Sequence, residues 1–105
     1  MASLLQTPDR TVVVNITQSW QGPCKFINPI FEDLQSQYPE LTLKIVEADQ
    51  NMDIVNQFQV STFPAFLVFK NGEKIDELEG AMKSGLIELL DRAQQAWSTY
   101  YTLKK

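Results

Sequence analysis

The chemistry open to this chain of 105 residues is set by one cysteine, Cys24, and by the absence of histidine. A lone cysteine excludes an intramolecular disulfide and a structural zinc site built on cysteines. Without histidine, the chain lacks the general base of many serine and cysteine hydrolases and the imidazole ligands of metal sites. We therefore expect no metal and no cofactor, which leaves the reactions of a single thiol.

Cys24 belongs to the segment WQGPCK at residues 20–25, which lies between a strand pattern and a helix pattern. A thiol exposed at the start of a helix is activated, because backbone N–H groups and the helix dipole lower its pKa. A cysteine one turn inside a helix is more often buried and unreactive. The sequence leaves both interpretations of Cys24 open and favours the unreactive one.

The first half of the chain carries the patterns of two strands and two helices. The β-branched run at 11–17 predicts a buried strand, and the alternation at 41–48 predicts a second. Apolar residues at helical spacing predict a helix between them, kinked at Pro29 and closed by Pro39. Its predicted apolar face is Phe26, Ile27, Ile30, Phe31, Leu34 and Tyr38. Capping residues at 49–51 predict a short second helix. Its predicted buried residues are Met52, Val55 and Phe58.

The second half carries the patterns of a hairpin and a final helix. A strand at 65–70 is followed by Asn71-Gly72, a strong hairpin signal, and by a weaker strand that Gly80 ends. Ser84 is the predicted cap of the last helix. Its predicted buried stripe is Leu86, Leu89, Leu90, Ala93 and Trp97. This order of elements predicts an α/β fold, a mixed sheet covered by helices on both faces.

Composition indicates one globular domain over residues 1–105 and excludes several kinds of partner. The chain is 44% hydrophobic with a net charge of −4, so we expect no nucleic acid and no anionic lipid as partners. It has no apolar run of the roughly 20 residues that cross a membrane, so no membrane insertion is expected. The first twenty residues lack the pattern of a secretory signal, and one cysteine suits a reducing compartment. These features predict a cytoplasmic protein that is not secreted.

Five motifs, in order and in spacing, resemble those of the thioredoxin family. WQGPCK at 20–25 is similar to the family's WCGPCK motif. The others are Pro29 at its helix kink, Phe63-Pro64 at its cis-proline, Asn71-Gly72 at its hairpin turn and Gly80-Ala81 at the glycine facing its active site. The resemblance runs from about residue 11 to 93 and implies a thioredoxin-like fold, a central mixed β-sheet flanked by helices. Only residues 1–10 precede the first strand, so the family's N-terminal strand and helix are expected to be shortened.

Three departures from the family's pattern concern the reaction itself. Gln21 stands where the resemblance places the attacking cysteine, and Cys24 matches the resolving cysteine. Asn15 matches the family's buried aspartate, the former proton-relay position, and its amide takes no proton near neutral pH. Ile45 matches a position that usually carries a long charged side chain. The three changes together predict a chain that has lost dithiol exchange, so an enzyme is disfavoured though not excluded.

The resemblance also implies a surface for a protein partner. In this family the backbone beside the cis-proline pairs with an extended peptide. The implied partner-binding residues are Trp20, Gln21, Gly22, Pro23, Phe63, Pro64, Gly80, Ala81 and Met82. A rival interface is the strand at 41–48, expected at the sheet edge with partial cover from Leu4-Leu5, together with the aromatic tail at 98–105. The aromatic residues of that end are Trp97, Tyr100 and Tyr101.

The leading prediction is a redox-inactive or attenuated thioredoxin-like protein that binds a protein partner within a multi-subunit complex. Thioredoxin-like light chains of ciliary dynein are examples of such a role, which would place the protein at the cytoskeleton or in cilia. The alternative is an oxidoreductase that works through the single thiol of Cys24, since residues 22–25 otherwise keep the family's motif. A third possibility is chaperone-like holding of peptides in the same groove.

Overall fold

Seven helices and strands make up the part of the chain that the computed structural model describes, residues 10–104 for the backbone and 10–95 for the side chains. They are β1 (Thr11–Thr17), α1 (Gly22–Leu34), β2 (Leu41–Glu47), α2 (Met52–Gln57), β3 (Ala65–Lys70), β4 (Glu73–Glu79) and α3 (Lys83–Lys104). Short 3-10 turns follow α1 at Gln35–Gln37 and β2 at Ala48–Gln50. The predicted order of elements is confirmed.

The four strands form one mixed sheet in the order β2-β1-β3-β4. β1 runs parallel to β2 and antiparallel to β3, and β3 pairs antiparallel with β4. Because β1 has a strand on each side and apolar cover on both faces, all seven of its residues are buried. Within the described part of the chain, β2 and β4 are the edges of the sheet.

Apolar clusters pack against both faces of the sheet, and β1 supplies alternate residues to each. Helices α1 and α3 cover one face, with the buried cluster Val13, Ile27, Phe31, Leu34, Tyr38, Leu41, Phe66, Val68, Leu86, Leu89, Leu90 and Ala93. The other face carries the six-residue helix α2. Its cluster is Val12, Val14, Ile16, Val46, Ala48, Ile54, Val55, Leu67 and Phe69. The prediction of helices on both faces is confirmed.

The hairpin turn and the cis-proline are also confirmed. Asn71 and Gly72 both have positive φ, 53° and 83°, the combination that a two-residue hairpin needs to match the twist of its strands. The Phe63-Pro64 peptide bond is cis. In the hairpin, the pairing of β3 with β4 shifts register between Val68 and Phe69, so Ile75 is the extra residue of a bulge in β4.

Two residues predicted to be buried in helices are exposed instead. Phe26 is turned away from the sheet, because the buried stripe of α1 is Cys24, Ile27, Phe31 and Leu34 and a neighbouring position lies about 100° around the helix. Met52 opens α2, whose buried positions are Ile54 and Val55.

The predicted helix ends also need correction. Ser84 lies inside α3, which already begins at Lys83, so it is not the cap. Helix α1 ends at Leu34, before Pro39, and the last helix continues through most of the aromatic tail, to Lys104. The side chains of Trp97, Tyr100 and Tyr101 lie outside the described residues.

Candidate functional site

Three of the predicted partner-binding segments lie at the same end of the sheet. Strand pairing places Ile16, near the end of β1, beside Ala65 at the start of β3, and Ala65 beside Glu79 at the end of β4. Segment 20–24 follows β1, Phe63-Pro64 precedes β3, and segment 80–82 follows β4. The topology therefore brings the three predicted segments to the same end of the sheet.

Two of these segments are joined by a backbone hydrogen bond. The Gly80 N–H donates to the Pro64 carbonyl at 2.8 Å. Gly80 has φ +96°, a conformation that side chains rarely adopt, and the space where a Cβ would project is open. Because the Pro64 carbonyl is occupied and proline has no N–H, Phe63 supplies the backbone groups available here. Its N–H and C=O have no partner among the described residues.

Exposed apolar side chains flank this backbone. Trp20 is 64% exposed and Met82 is 66% exposed, while Phe63 and Ala81 are half-buried. The loop that carries Trp20 is tied to the sheet through Ser19, whose backbone N–H and hydroxyl both donate to the Glu47 carboxylate at the end of β2. Sequence reasoning missed this tie, because residues 19 and 47 meet only once β1 and β2 are paired.

Gln21 occupies the cap position of α1 but supplies no side-chain cap. Its side-chain amide donates instead to the Gln18 side chain, and its backbone N–H donates to the Gln18 carbonyl at 2.9 Å. The next two residues, Gly22 and Pro23, are exposed. At the position expected for an attacking thiol, the chain therefore presents a neutral amide that is held within its own loop.

Cys24 is completely buried, with 0% of its surface exposed. It lies on the stripe of α1 that faces the sheet, while the neighbouring Pro23 and Lys25 are exposed. A buried thiol cannot reach a substrate disulfide unless the helix start moves. The geometry therefore favours the unreactive interpretation of Cys24.

Asn15 is fully buried, as predicted, but its surroundings are not apolar. Its Nδ2 donates to Asn28 Oδ1 at 2.8 Å, and Thr17 and Asn28 are joined side chain to side chain at 3.3 Å. The Asn15 Oδ1 is buried and has no partner among the described residues. Ile45 lies beside Asn15 across the β1–β2 pairing and is 38% exposed, so its side chain does not cover the surroundings of Asn15 completely.

Asn28 is the site residue that sequence reasoning missed. It follows Cys24 by four positions and therefore lies on the same side of α1, the side that faces β1. That spacing could have identified it as the partner of a buried polar residue in the strand. Because the neighbouring Ile27 and Phe31 are apolar, the sequence pattern indicates instead that position 28 lies at the margin of the hydrophobic core.

Among the described residues, no three carboxylate or thiol side chains cluster so as to hold a metal ion. Over the same residues, no helix is both long enough and apolar enough to span a bilayer.

The fold and the site together define an α/β protein with a cis-proline loop at the same end of the sheet as the start of α1, a helix that contains Pro29. The sequence matches the Thioredoxin family pattern over residues 2–92, and the chain belongs to that family. It is 32% identical to a thioredoxin of Ophiophagus hannah over 91 residues, 87% of each chain. It superposes on the structure of a Plasmodium falciparum thioredoxin with a TM-score of 0.82 at 30% identity, covering 87% of this chain and 88% of that one.

A longer relative contains a region similar to this chain. Over 82 residues the chain is 35% identical to a peptide-N(4)-(N-acetyl-beta-glucosaminyl)asparagine amidase of Caenorhabditis briggsae, and it spans 14% of that protein. The similarity therefore covers a thioredoxin-like part of a much larger protein.

Proposed function

We propose that this thioredoxin-family protein binds an extended segment of a protein partner without dithiol exchange. The binding site is the loop surface, defined as Trp20, Gln21, Gly22, Pro23, Phe63, Pro64, Gly80, Ala81 and Met82. The observation that carries the proposal is the start of α1, where an amide stands at position 21 and the single thiol, Cys24, is buried.

Dithiol exchange needs two thiols that act in turn. The first thiolate attacks a substrate disulfide, and the second attacks the mixed disulfide to release the reduced substrate. Gln21 offers no nucleophile, and the chain has no second cysteine. With neither step available, what remains of the family's activity is recognition of the partner chain.

Recognition can use the backbone of Phe63. Its unpartnered N–H and C=O can pair with an extended segment as one strand pairs with another, which supplies affinity without a thiol. Trp20 and Met82 can then contact the segment's side chains. Aromatic anchors of this kind often account for about 2 kcal/mol or more when cut to alanine, a change of roughly 30-fold in affinity.

The finer proposal is that the partner belongs to a multi-subunit assembly in the cytoplasm, on the cytoskeleton or in cilia, in the manner of a dynein light chain. The competing function is that of an oxidoreductase that uses Cys24 alone. The two make opposite predictions for a Cys24→Ser variant, because a stable non-covalent complex does not need the thiol.

An insulin-reduction assay with thioredoxin reductase tests the first half of the proposal. We expect the uncatalysed rate, and turnover comparable to an ordinary thioredoxin would refute it.

Capture of partners on the immobilised full chain, with and without reductant and with mass-spectrometric quantification, tests the second half. Trp20→Ala and Met82→Ala should each release the captured partner, while Cys24→Ser should retain it. Met52→Ala is the matched control, since Met52 is 49% exposed but lies in α2, away from the loop surface. Loss of the partner in Cys24→Ser alone would instead establish a thiol-dependent link and favour the oxidoreductase.

A further inference from the structure

Within the described residues, the outer edge of β2 has a capped half and an open half. At its start, the Gln35 side chain holds two backbone groups: its Nε2 donates to the Leu41 carbonyl at 2.8 Å, and its Oε1 accepts the Leu43 N–H at 2.9 Å. Arg10 adds a bond to the same Leu41 carbonyl at 3.2 Å. One amide side chain thus takes the place of a peptide group from a neighbouring strand.

The Gln35 bonds also reveal which residues turn their backbone outward. Residues two apart in a strand direct their N–H and C=O to the same side. Since Leu41 and Leu43 bond to Gln35, away from β1, Ile45 and Glu47 also face outward. The Glu47 carbonyl accepts a hydrogen bond from Asn51 Nδ2 at 2.9 Å. Four outward groups then have no partner among the described residues: the Leu43 C=O, the Ile45 N–H and C=O, and the Glu47 N–H. We call these four groups the open edge.

The open edge is complementary to itself. If a second copy lies antiparallel with Ile45 opposite Ile45, the two isoleucines exchange both of their N–H···O=C bonds. In the same register, each Glu47 N–H meets the Leu43 C=O of the other copy. All four open groups are paired. The two groups that this register leaves over, the Leu43 N–H and the Glu47 C=O, are the ones already held by Gln35 and Asn51.

Other antiparallel registers do not fit in this way. If the copies are shifted so that Ile45 lies opposite Leu43, the Ile45 C=O faces the Leu43 N–H, which Gln35 already holds. If they are shifted so that Ile45 lies opposite Glu47, the Ile45 N–H faces the Glu47 C=O, which Asn51 already holds. The side chains agree with the Ile45-centred register as well. The exposed Ile45 meets its twin on the same face of the combined sheet, and Lys44 faces Val46, so no like charges lie directly opposite.

The opposite edge of the sheet shows what a protected edge looks like. β4 carries a bulge at Ile75, a Lys74–Glu77 ion pair and an Asp76 carboxylate bound by Arg92, features that oppose pairing with another strand. From Leu43 to Glu47, β2 has neither a bulge nor an ion pair among the described residues.

We propose that two copies of this chain associate through the open edge of β2, antiparallel and two-fold symmetric about Ile45, to form a continuous eight-stranded sheet. The interface is symmetric in the way most homodimers are, with the same strand on both sides. A single strand pair buries little surface, so the association belongs with weak and reversible ones. It uses a surface separate from the loop surface and does not depend on the proposed function.

Sedimentation equilibrium of the full chain, from micromolar to millimolar concentration, tests the association. We expect a reversible dimer that Ile45→Lys abolishes, because it sets two ammonium groups against each other at the two-fold axis. Ile75→Lys is the matched control: Ile75 is 44% exposed, against 38% for Ile45, and lies on the other edge. The control should dimerise as the native chain does. A monomer at all concentrations, or equal loss in both variants, would overturn the proposal.

A cysteine cross-link tests the register. In a hydrogen-bonded antiparallel pair the Cα atoms lie about 5.5 Å apart, within the range that a disulfide spans. Ile45→Cys should therefore form a covalent dimer on oxidation, with the 45–45 link identified by mass spectrometry. Lys44→Cys should not, since its twin lies diagonally across at about 7–8 Å. Equal cross-linking at both positions would exclude the register.

Hydrogen exchange separates the second copy from other occupants of the edge. The Leu43 amide, held by Gln35, serves as an internal reference that is protected at every concentration. The Ile45 and Glu47 amides should be protected only in concentrated samples. If they are protected even when dilute and deleting residues 1–9 removes the protection, the chain's own N-terminal residues cover the edge. If the Ile45 and Glu47 amides exchange quickly at every concentration, the edge does not pair with a second copy and remains available to a different protein. Either result would refute the dimer.

Discussion

Replacing Asn15 by aspartate tests how the buried amide pair is arranged. Asn15 is fully buried, and among the described residues its side chain makes one hydrogen bond, from its own Nδ2 to Asn28 Oδ1. A carboxylate at position 15 loses that donor and sets an oxygen against the Asn28 oxygen, unless the Asn28 amide turns over. Even after it turns, one amide N–H faces two carboxylate oxygens. The ionised form is therefore poorly solvated, and the pKa of the new carboxyl is raised.

The size of the effect follows from the burial. Fully buried carboxyls have pKa values raised by up to 3–5 units, and with one amide donor we take a rise of about 2. At 1.36 kcal/mol per unit this is roughly 2.7 kcal/mol, or about 10–20 °C in melting temperature for a domain of this size. Because the folded pKa is raised, the variant's stability is intact below pH ~4, the unfolded value, and is lost as pH rises through ~6.

Asn28→Asp is the matched control for this variant. The Asn28 Oδ1 already accepts the Asn15 N–H, and the Thr17 hydroxyl lies within reach to donate a second bond. A carboxylate there is stabilised, so its pKa is lowered and its stability is retained as pH rises. Thermal melts at pH 4 and pH 8 should show opposite trends for the two variants. The reverse pattern, or no dependence on pH in either, would refute the arrangement of the pair.

Three further variants test the thiol motif and the far end of the core. Gln21→Cys should form a disulfide with Cys24 but exchange it slowly. Adding Asn15→Asp should raise the insulin-reduction rate by about 100-fold, since a carboxyl can carry the proton. Full activity of Gln21→Cys alone would show that proton transfer at position 15 is not limiting. Burial, with a 2.7 Å hydrogen bond to Asp91, raises the pKa of Tyr38 to about 12. Its contribution to stability is therefore present below pH ~10 and lost as pH rises through 12. Tyr38→Phe should cost about 1 kcal/mol at neutral pH and remove this alkaline dependence, and an unchanged alkaline melt would contradict the assignment.

The parts of the fold that follow from local patterns could be predicted from the sequence. The β-branched run of β1, the Asn71-Gly72 turn and the stripe of α3 each fix their own structure within a few residues. The helix boundaries could not be predicted as well, since the end of α1 depends on packing. Gln35 follows α1 directly, and its side chain bonds to Leu41 and Leu43 instead of extending the helix pattern.

The segments of the candidate site were predicted from the sequence, but the hydrogen bonds that connect them were not. Trp20 and Met82 are exposed and Cys24 is buried, in agreement with the interpretations drawn from their positions. The bonds that hold these residues in place join Ser19 to Glu47 and Asn15 to Asn28. Such pairs are distant in sequence and carry no local pattern, because a polar residue finds its partner only after the strands have paired.

The unequal cover on the two faces of the sheet has a consequence for how the molecule opens. One face is held by α1 and α3, whereas within the described residues the other is held by α2, of only six residues. Sub-global opening begins where few apolar contacts must be broken. The α2 face should therefore separate first, in a partly unfolded form that keeps the sheet and both long helices. Proteases would then cut preferentially near residues 51–61, leaving two fragments that stay associated through the pairing of β1 with β3.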